Sequence, residues 1–449
     1  MADEWSEVSI AEIAVPDGVV GGPFGSDLVR ADYRDSGVPV IRGANLGIGD
    51  KRFDSSDFVF VSEEKADQLS RNMAAPGDLI VTQRGTLGQV GIVPVESVYA
   101  RYVISQSQMR LRCNTGIANP TYIYYWLLSD KTVEYIKANA VAAGVPHINL
   151  GFFKSMRLRL PPLDEQNSIA GILDSLDKKI DLNRRMNQTL EAMAQAVFRS
   201  WFVDIDPVRA KTEGRQPAGM DAETANLFPA ISSKTELGAI PDGWTHQPVS
   251  SLVQGVFDGP HATPPEATEG PIYLGIKNLT GTSIDFAGIR HISESDWPKW
   301  SKRVEPRAGD IVFTYEATLG HFALLPPGLR CCLGRRTALV RPKPDERSRH
   351  YLFHWFISET FQQFLRSRVH PGATVDRILL TDFPSYPVLC PPPALVHRFD
   401  DFAAPIWARI HSNLAENRTL AALRDTLLPK LLSGEVRVKD AEARVGAAV

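Results

Sequence analysis

The sequence predicts an α+β chain built from two tandem copies of one plan. Each copy is a mixed segment followed by a long helix, and the two long helices pack on one another as a pseudo-two-fold pair. Three observations predict this: a repeat of long period, a heptad seam in each half, and an asparagine pair at the same place in both seams. In residues 77–94 (GDLIVTQRGTLGQVGIVP), Gly77, Asp78, Thr82, Thr86, Leu87, Gly88 and Pro94 recur 232 residues later. They return as Gly309, Asp310, Thr314, Thr318, Leu319, Gly320 and Pro326 in GDIVFTYEATLGHFALLP. At an offset of 230, Pro161-Pro162 return as Pro391-Pro392. At the same offset Ile180, Asn183, Asn187, Thr189 and Leu190 return as Ile410, Asn413, Asn417, Thr419 and Leu420. Trp5 and Trp244 each open a half. Matches in one order, with offsets drifting by a few residues, point to duplication.

Each half opens with about 150 residues of short β-rich runs, such as Asp78–Thr82 and Met109–Arg112, punctuated by Gly, Pro and Asp. A helix is predicted over Pro120–Ala138, with Asn119 as N-cap and Pro120 at the first helical position, and its partner over Arg349–Ser367. A double proline stops each segment. The first long helix then runs from Asp164 to Phe202, with Ile169, Leu173, Leu176, Ile180, Leu190, Ala194, Val197 and Trp201 in its seam. At ~1.5 Å per residue it spans roughly 55–60 Å. The second runs from Ala394 to Leu432, through Phe399, Phe402, Ile406, Ile410, Leu420, Leu423, Leu427 and Leu431, with Gly434 as its C′ cap. Pro405 is expected to kink or interrupt it.

Asn183 and Asn187 sit in one seam, Asn413 and Asn417 in the other. A polar seam residue lowers stability and fixes register. Asn183→Leu with Asn413→Leu is therefore expected to raise stability and loosen register. Pro207–Asp242, rich in Ala, Gly, Pro, Lys and Glu, reads as a connector. The expected divisions are a mixed domain over 1–160, a long helix over 161–206, a connector over 207–239, a second mixed domain over 240–390, a C-terminal long helix over 391–434 and a tail over 435–449.

Composition narrows the function classes. At 449 residues and 49.6 kDa, two to four domains with sizeable cores are expected. Hydrophobic residues are 43%, charged residues 22% and mean hydropathy is −0.14, ordinary values for a folded chain. Lys plus Arg is 49 against Asp plus Glu 52, a net charge of −3, and residues 5–160 hold 16 basic and 16 acidic side chains. A globally basic coat is absent, so any nucleic-acid face is local. No window approaches the ~20 apolar residues of a membrane span, and Met1-Ala2-Asp3-Glu4-Trp5 lacks a signal-peptide core. Four cysteines (Cys113, Cys331, Cys332, Cys390) form no CxxC pair, which suits a reducing cytoplasm without disulfide framework or structural zinc.

Catalytic signals are few. The glycines of Gly18–Gly25 are followed by no GK[ST], and neither HExxH nor GxSxG occurs. Asn119-Pro120-Thr121-Tyr122 resembles the Asn-Pro-Pro-Tyr loop of amino-methyltransferases, but its third residue is Thr and no cofactor loop accompanies it. The capping role accounts for it. No catalytic residue, metal ligand or cofactor site is assigned.

The frame repeats while its loops do not. Gln83-Arg84-Gly85 stands against Tyr315-Glu316-Ala317, and Gln106-Ser107-Gln108 against Arg335-Arg336-Thr337. These side-chain types read base edges, and a duplicated frame with changed polar loops suits a molecule that reads two short sequences. The candidate DNA contacts are Arg42, Asn45, Gln83, Arg84, Gln106 and Gln108 in the first half. In the second they are His261, Lys277, Asn278, Tyr315, Arg335 and Arg336.

The run Leu160–Val208 (LPPLDEQNSIAGILDSLDKKIDLNRRMNQTLEAMAQAVFRSWFVDIDPV) closely resembles the central region of specificity subunits of type I restriction–modification systems. So does the connector through Glu236–Trp244. Asp258–Thr263 (DGPHAT) and Gly275–Asn278 (GIKN) look like that family's recognition-domain opening. The resemblance covers nearly the whole chain. One departure is Leu395-Val396-His397, where the family usually keeps Glu-Gln, as at Glu165-Gln166. The resemblance implies two target-recognition domains at opposite ends of an antiparallel helix pair. Each domain would read half of a bipartite site in double-stranded DNA, with the helices as a ruler. Two DNA-methyltransferase subunits would dock with S-adenosylmethionine. Restriction/translocase subunits would bring ATP and Mg²⁺, and the chain itself would do no chemistry. The alternatives are a related methyltransferase-only or phage-defence system, or a duplicated scaffold that binds no DNA.

Overall fold

The recurrent Gly-Asp dipeptide begins a central strand in each half, and its carboxylate ties that strand to a neighbour. The computed structural model describes residues 5–47, 52–141, 144–235, 238–286, 288–344, 348–372 and 375–446, with backbone alone at 232–235 and 238–239. The acidic Met1–Glu4, Glu236-Leu237 of the connector and the last three residues of the tail lie outside the described residues. The chain divides into two units, residues 1–184 with 414–449 and residues 185–413, so the divisions fall within the long helices.

In the first unit, Ala14–Gly21, Gln108–Cys113, Leu79–Thr82 and Val90–Ile92 form an antiparallel sheet in that spatial order. A second sheet orders Val59–Val61, Val38–Ile41, Tyr102–Ile104 and Met73–Ala74, with Val38–Ile41 parallel to Tyr102–Ile104. The second unit repeats both patterns. Val253–Asp258, Thr337–Pro342, Ile311–Glu316 and Thr318–Leu324 form the antiparallel sheet. Arg290–His291, Ala267–Leu274 and Cys331–Leu333 form the other, with the last two parallel. A short antiparallel pair precedes each long helix: Ser6–Ser9 with Arg157–Leu160, and Thr245–Pro248 with Pro387–Cys390.

Asp78 is 2% exposed and Asp310 3%. Asp78 accepts two bonds from the Arg112 guanidinium, both at 2.7 Å, and one from the Ala75 N–H at 2.7 Å. Asp310 accepts from Arg341 at 2.9 and 2.7 Å and from the Arg307 N–H at 2.8 Å. The repeated carboxylate is thus a bidentate strand clamp. The repeated Thr-Leu-Gly has a packing reason. Gly88 (φ 93°) and Gly320 (φ 74°) adopt left-handed backbone, and a Cβ there would fall 2.7 Å from Val133 and from Gln362.

The predicted helix over Pro120–Ala138 is two helices, Pro120–Leu128 and Asp130–Ala138, because Ser129 is extended (ψ 140°). The partner breaks at the equivalent Ser358 into Arg349–Ile357 and Glu359–Ser367, and the Ser358 hydroxyl caps the Phe361 N–H. Each serine starts a new helix with its hydroxyl bonded to the preceding turn. Apolar periodicity runs through both breaks and hides them.

The long helices run from Leu163 to Phe198, continued by a π-turn over Arg199–Val203, and from Pro393 to Ser433. The second passes Pro405 without interruption. They pair antiparallel. In the first unit Ile169 and Leu173 share a core with Leu427 and Leu431, and Leu176 and Ile180 pack with Leu420. In the second unit Phe198 meets Phe399. There the seam shifts by one: Phe198, Ala403 and Trp407 are buried, while Val197, Phe402 and Ile406 are only partly so. The cause is an aromatic core in which Phe198 also packs on Tyr351 and His354. The connector is drawn into the same region: Val208, Ala210 and Ala225 are buried and Phe228 packs on Trp201 and Trp244.

The seam asparagines bond to one another across the pair. Asn183 Nδ2 donates to Asn417 Oδ1 at 2.9 Å and to Glu416 at 2.7 Å, and Asn413 Nδ2 donates to Asn187 Oδ1 at 2.7 Å. Asn187 and Asn417 then reach the carbonyls of Ile410 and Ile180, each at 3.4 Å. The 230-residue offset exchanges one set of contacts for the other, the signature of a pseudo-two-fold pairing. This geometry corrects the expected outcome of Asn183→Leu with Asn413→Leu, which removes two donors and strands two acceptors. Replacing all four asparagines by leucine is the change expected to stabilise, by about 1–4 kcal/mol. It should also loosen pairing, read as a higher melting temperature with added oligomers on gel filtration. A lower melting temperature would show that the network stabilises outright.

The second unit carries an acid-sensitive centre. His354 is buried beneath Phe198, and its Nε2 accepts from Trp407 Nε1 at 3.1 Å while its Nδ1 is buried with no partner among the described residues. Burial, with His350 nearby, pushes its pKa down from the usual 6.5 to about 3, and similarly pushes His411 to about 4. Between those values and 6.5 the unfolded chain binds more protons than the folded one. The stability is therefore full above pH 6.5 and is lost as pH falls. At pH 5, His354 alone is expected to cost about 2 kcal/mol. Melting temperatures of wild type and His354→Phe from pH 7.5 to 5 test this: the acid slope should flatten in the variant.

Candidate nucleic-acid interface

The sequence places chemically different residues on loops that the fold holds in the same way. In the first unit the loop after Tyr102–Ile104 lies against the turn at Gly22. The Gly22 N–H donates to the Gln108 carbonyl at 2.8 Å, and a Cβ on Gly22 would fall 2.0 Å from the Ser105 carbonyl oxygen. The Gln83 N–H donates to the Ser107 carbonyl at 2.7 Å, the Gly85 N–H to Pro146 at 3.0 Å, and the Ile148 N–H to Gln83 at 3.0 Å. The second unit repeats each bond. The Gly259 N–H donates to Thr337 at 3.0 Å and the Tyr315 N–H to Arg336 at 3.3 Å. The Ala317 N–H donates to Asp376 at 3.0 Å and the Ile378 N–H to Tyr315 at 2.8 Å. Four loops are thus fastened together in each unit by an equivalent set of bonds.

The candidate residues separate by what their side chains do. Arg84, Gln106, His261, Lys277 and Arg335 are exposed. Gln106 also braces the loop, its Nε2 donating to the carbonyls of Gly25 at 2.6 Å and Leu28 at 2.8 Å. Arg42 is partly buried and pairs with Asp57, and with Gln106 it lines a cleft of about 710 Å³ beside the Gly25–Arg30 turn. Gln83 is partly buried. His261 lies 3.0 Å from Asp258, which also holds Arg303.

Four candidates face inward. Asn45 is fully buried: its Oδ1 accepts from the Arg42 N–H at 2.9 Å and its Nδ2 donates to the carbonyls of Asp54 and Asp57. Asn278 does the same, accepting from the Gly275 N–H at 3.2 Å and donating to Asp285. Gln108 is 1% exposed and accepts from the Ser105 hydroxyl. Tyr315 is 5% exposed, and burial pushes its hydroxyl pKa up to about 12. Arg336 pairs with Glu316 at 3.2 Å in left-handed backbone (φ 70°).

Two features escaped the sequence reading. The segments around His147 and Arg377 bridge to Arg84 and Glu316 as a fourth loop in each unit. Phe24, 87% exposed, stands where the second half has His261. Both sit at matching repeat positions, Ile148 and Ile378 at an offset of 230 and Gly22-Pro23 and Gly259-Pro260 at 237, so extending the repeat alignment would have found them.

The Glu-Gln departure has a structural cost. Gln166 is fully buried, accepting from the Asn119 N–H at 2.8 Å and donating to Ile117 at 3.0 Å and Pro161 at 2.8 Å. Glu165 accepts from Trp5 Nε1 at 3.1 Å. Where Leu395 and Val396 replace them, Trp244 Nε1 and the Ser348 hydroxyl are buried without partners among the described residues, and Val396 and Ser348 line a cavity of about 550 Å³. Among the described residues no cluster of His, Cys, Asp and Glu is arranged to hold a metal ion, and no helix is long and apolar enough to cross a membrane.

Residues 25–192 match the family described as the type I restriction modification DNA specificity domain. The chain is 27% identical over 388 residues to the type I restriction enzyme HindI specificity subunit of Haemophilus influenzae, covering 76% of this chain and 83% of the relative. It is 21% identical over 460 residues to the MjaIX specificity subunit of Methanocaldococcus jannaschii, covering 97% and 94%. The crystal structure of the type I restriction–modification S subunit from M. genitalium shares the fold, with a TM-score of 0.53 at 13% identity over 95% of this chain and 96% of that one. The matched domain and the relatives make the chain similar to specificity subunits of type I restriction–modification systems, and the M. genitalium subunit shares its duplicated fold.

Proposed function

We propose that the chain is the DNA sequence-recognition subunit of a type I restriction–modification assembly, each unit reading one half of a bipartite site in double-stranded DNA. The observation that carries this is a repeated frame with changed side chains. Equivalent bonds hold Gln83-Arg84-Gly85 and Tyr315-Glu316-Ala317 beside loops that present Gln106 in one unit and Arg335 in the other. Two chemical faces on one frame suit two different half-sites. The recognition domains are assigned to 1–160 and 240–390. The helices over 161–206 and 391–434 set the spacing, and Asn183, Asn187, Asn413 and Asn417 fix their register.

The chain works in the cytoplasm with two DNA-methyltransferase subunits, which bring S-adenosylmethionine, and with restriction/translocase subunits, which bring ATP and Mg²⁺. As a specificity subunit it is not itself catalytic. Its net charge of −3 gives little counterion-release affinity, so tight binding needs those partners. The test is to map methylated bases made by complexes carrying single changes. Arg84→Ala should relax only the half-site read by the first unit, and Arg335→Ala only the other. A lost base contact is worth roughly 1–3 kcal/mol, against the cognate base alone. Relaxation of both half-sites by either change would overturn the modular reading.

A further inference from the structure

We propose that Phe24, flanked by Arg30 and Arg84, is a reading element of the first unit. Its ring presses against a base of that half-site while the two guanidiniums hold phosphates to either side. This rests on the DNA-recognition reading and names contacts within it.

Phe24 is 87% exposed, yet its turn is not loose. Pro23 is buried, Gly22 abuts the Ser105 carbonyl, the Asp27 N–H donates to the Phe24 carbonyl at 2.9 Å, and Gln106 holds Gly25 and Leu28. A braced turn therefore holds a large apolar ring out in water, and no aromatic neighbour packs on it among the described residues. An apolar contact with a partner would take this pre-positioned ring out of water at no cost in ordering the turn.

The surrounding charges identify the partner. Most basic side chains described between residues 5 and 119 are occupied. Arg42, Arg52, Lys65, Arg101 and Arg112 pair with carboxylates, and Arg34 and Arg110 donate to backbone carbonyls. Arg30, Arg71 and Arg84 make no side-chain bond among the described residues, and the backbone of each is one or two bonded neighbours from this turn. Arg30 lines the 710 Å³ cleft with Gly25 and Gln106. The Arg84 N–H donates to the carbonyl of Ser107, another residue that lines the cleft, at 3.2 Å. Arg71 precedes Asn72, whose Nδ2 donates to the Gly21 carbonyl at 2.7 Å. Free guanidiniums around an exposed ring match a polyanion that carries flat apolar bases, by phosphate contact and by an apolar wedge or methyl contact. The second unit has His261 at this position, tied to Asp258, so the device belongs to one half-site only.

The test uses the chain assembled with its methyltransferase subunits. Wild type, Phe24→Ala, Phe24→Trp and Arg30→Ala are compared for the sequence they methylate in a random library and for equilibrium binding across a salt series. Phe24→Ala should lose discrimination at a position of one half-site and bind about 10-fold more weakly. Phe24→Trp should keep the wild-type motif. Arg30→Ala should weaken all sequences alike and lower the salt slope by about one. An unchanged motif and affinity in Phe24→Ala overturns this inference alone. A wild-type complex that modifies no bipartite site overturns it together with the reading on which it rests.

Discussion

Arg112→Met is expected to destabilise the first unit by about 3–5 kcal/mol, more than removal of its partner Asp78. The direction follows from which charge is left behind. Without Arg112, the Asp78 carboxylate, 2% exposed, keeps only the Ala75 N–H. Without Asp78, the Arg112 side chain, 42% exposed, turns into water. The second unit should not show this asymmetry. The Arg341 side chain is only 15% exposed, so both Arg341→Met and Asp310→Ala strand a buried charge and both should fall in the larger range. Urea unfolding of the four variants, with hydrogen exchange to locate the loss, measures this. Equal small effects in all four would mean that the repeated carboxylate is not the clamp its geometry describes.

Gln166→Leu is expected to cost about 3 kcal/mol or more while nearly preserving volume, because it strands the Asn119 N–H and the carbonyls of Ile117 and Pro161 in a dry site. The loss should appear as faster exchange at the start of the Pro120–Leu128 helix, whose N-cap Gln166 holds. A melting temperature within a degree of wild type would show that water replaces the side chain. The second unit lives with a version of this loss: Val396 occupies the position, and the Ser348 hydroxyl lies buried beside a cavity with no partner among the described residues.

The sequence by itself determined the duplication, the α+β plan of each half, the two long helices and the polar interruption of their seams. These are legible because repeats, heptad spacing and capping residues are local or periodic signals. The loops that carry the candidate site were legible too, since they interrupt repeated strands. Which of their side chains face outward was not. Asn45 and Asn278 have the chemistry of base readers, and only the tertiary structure turns them inward to brace a turn. Phe24 is an apolar residue with no place in the repeat's seams or strands, and the tertiary bonds that brace its turn leave it out in water. The same division separates the helices. Apolar spacing gave their extent, but the breaks at Ser129 and Ser358 and the shift of the seam at Phe198 were settled by what packs against them. A residue's type fixes the bonds it is able to make. The strands, loops and partners brought beside it from distant parts of the chain decide which of those bonds form, and that information lies in long-range pairing that no local pattern carries.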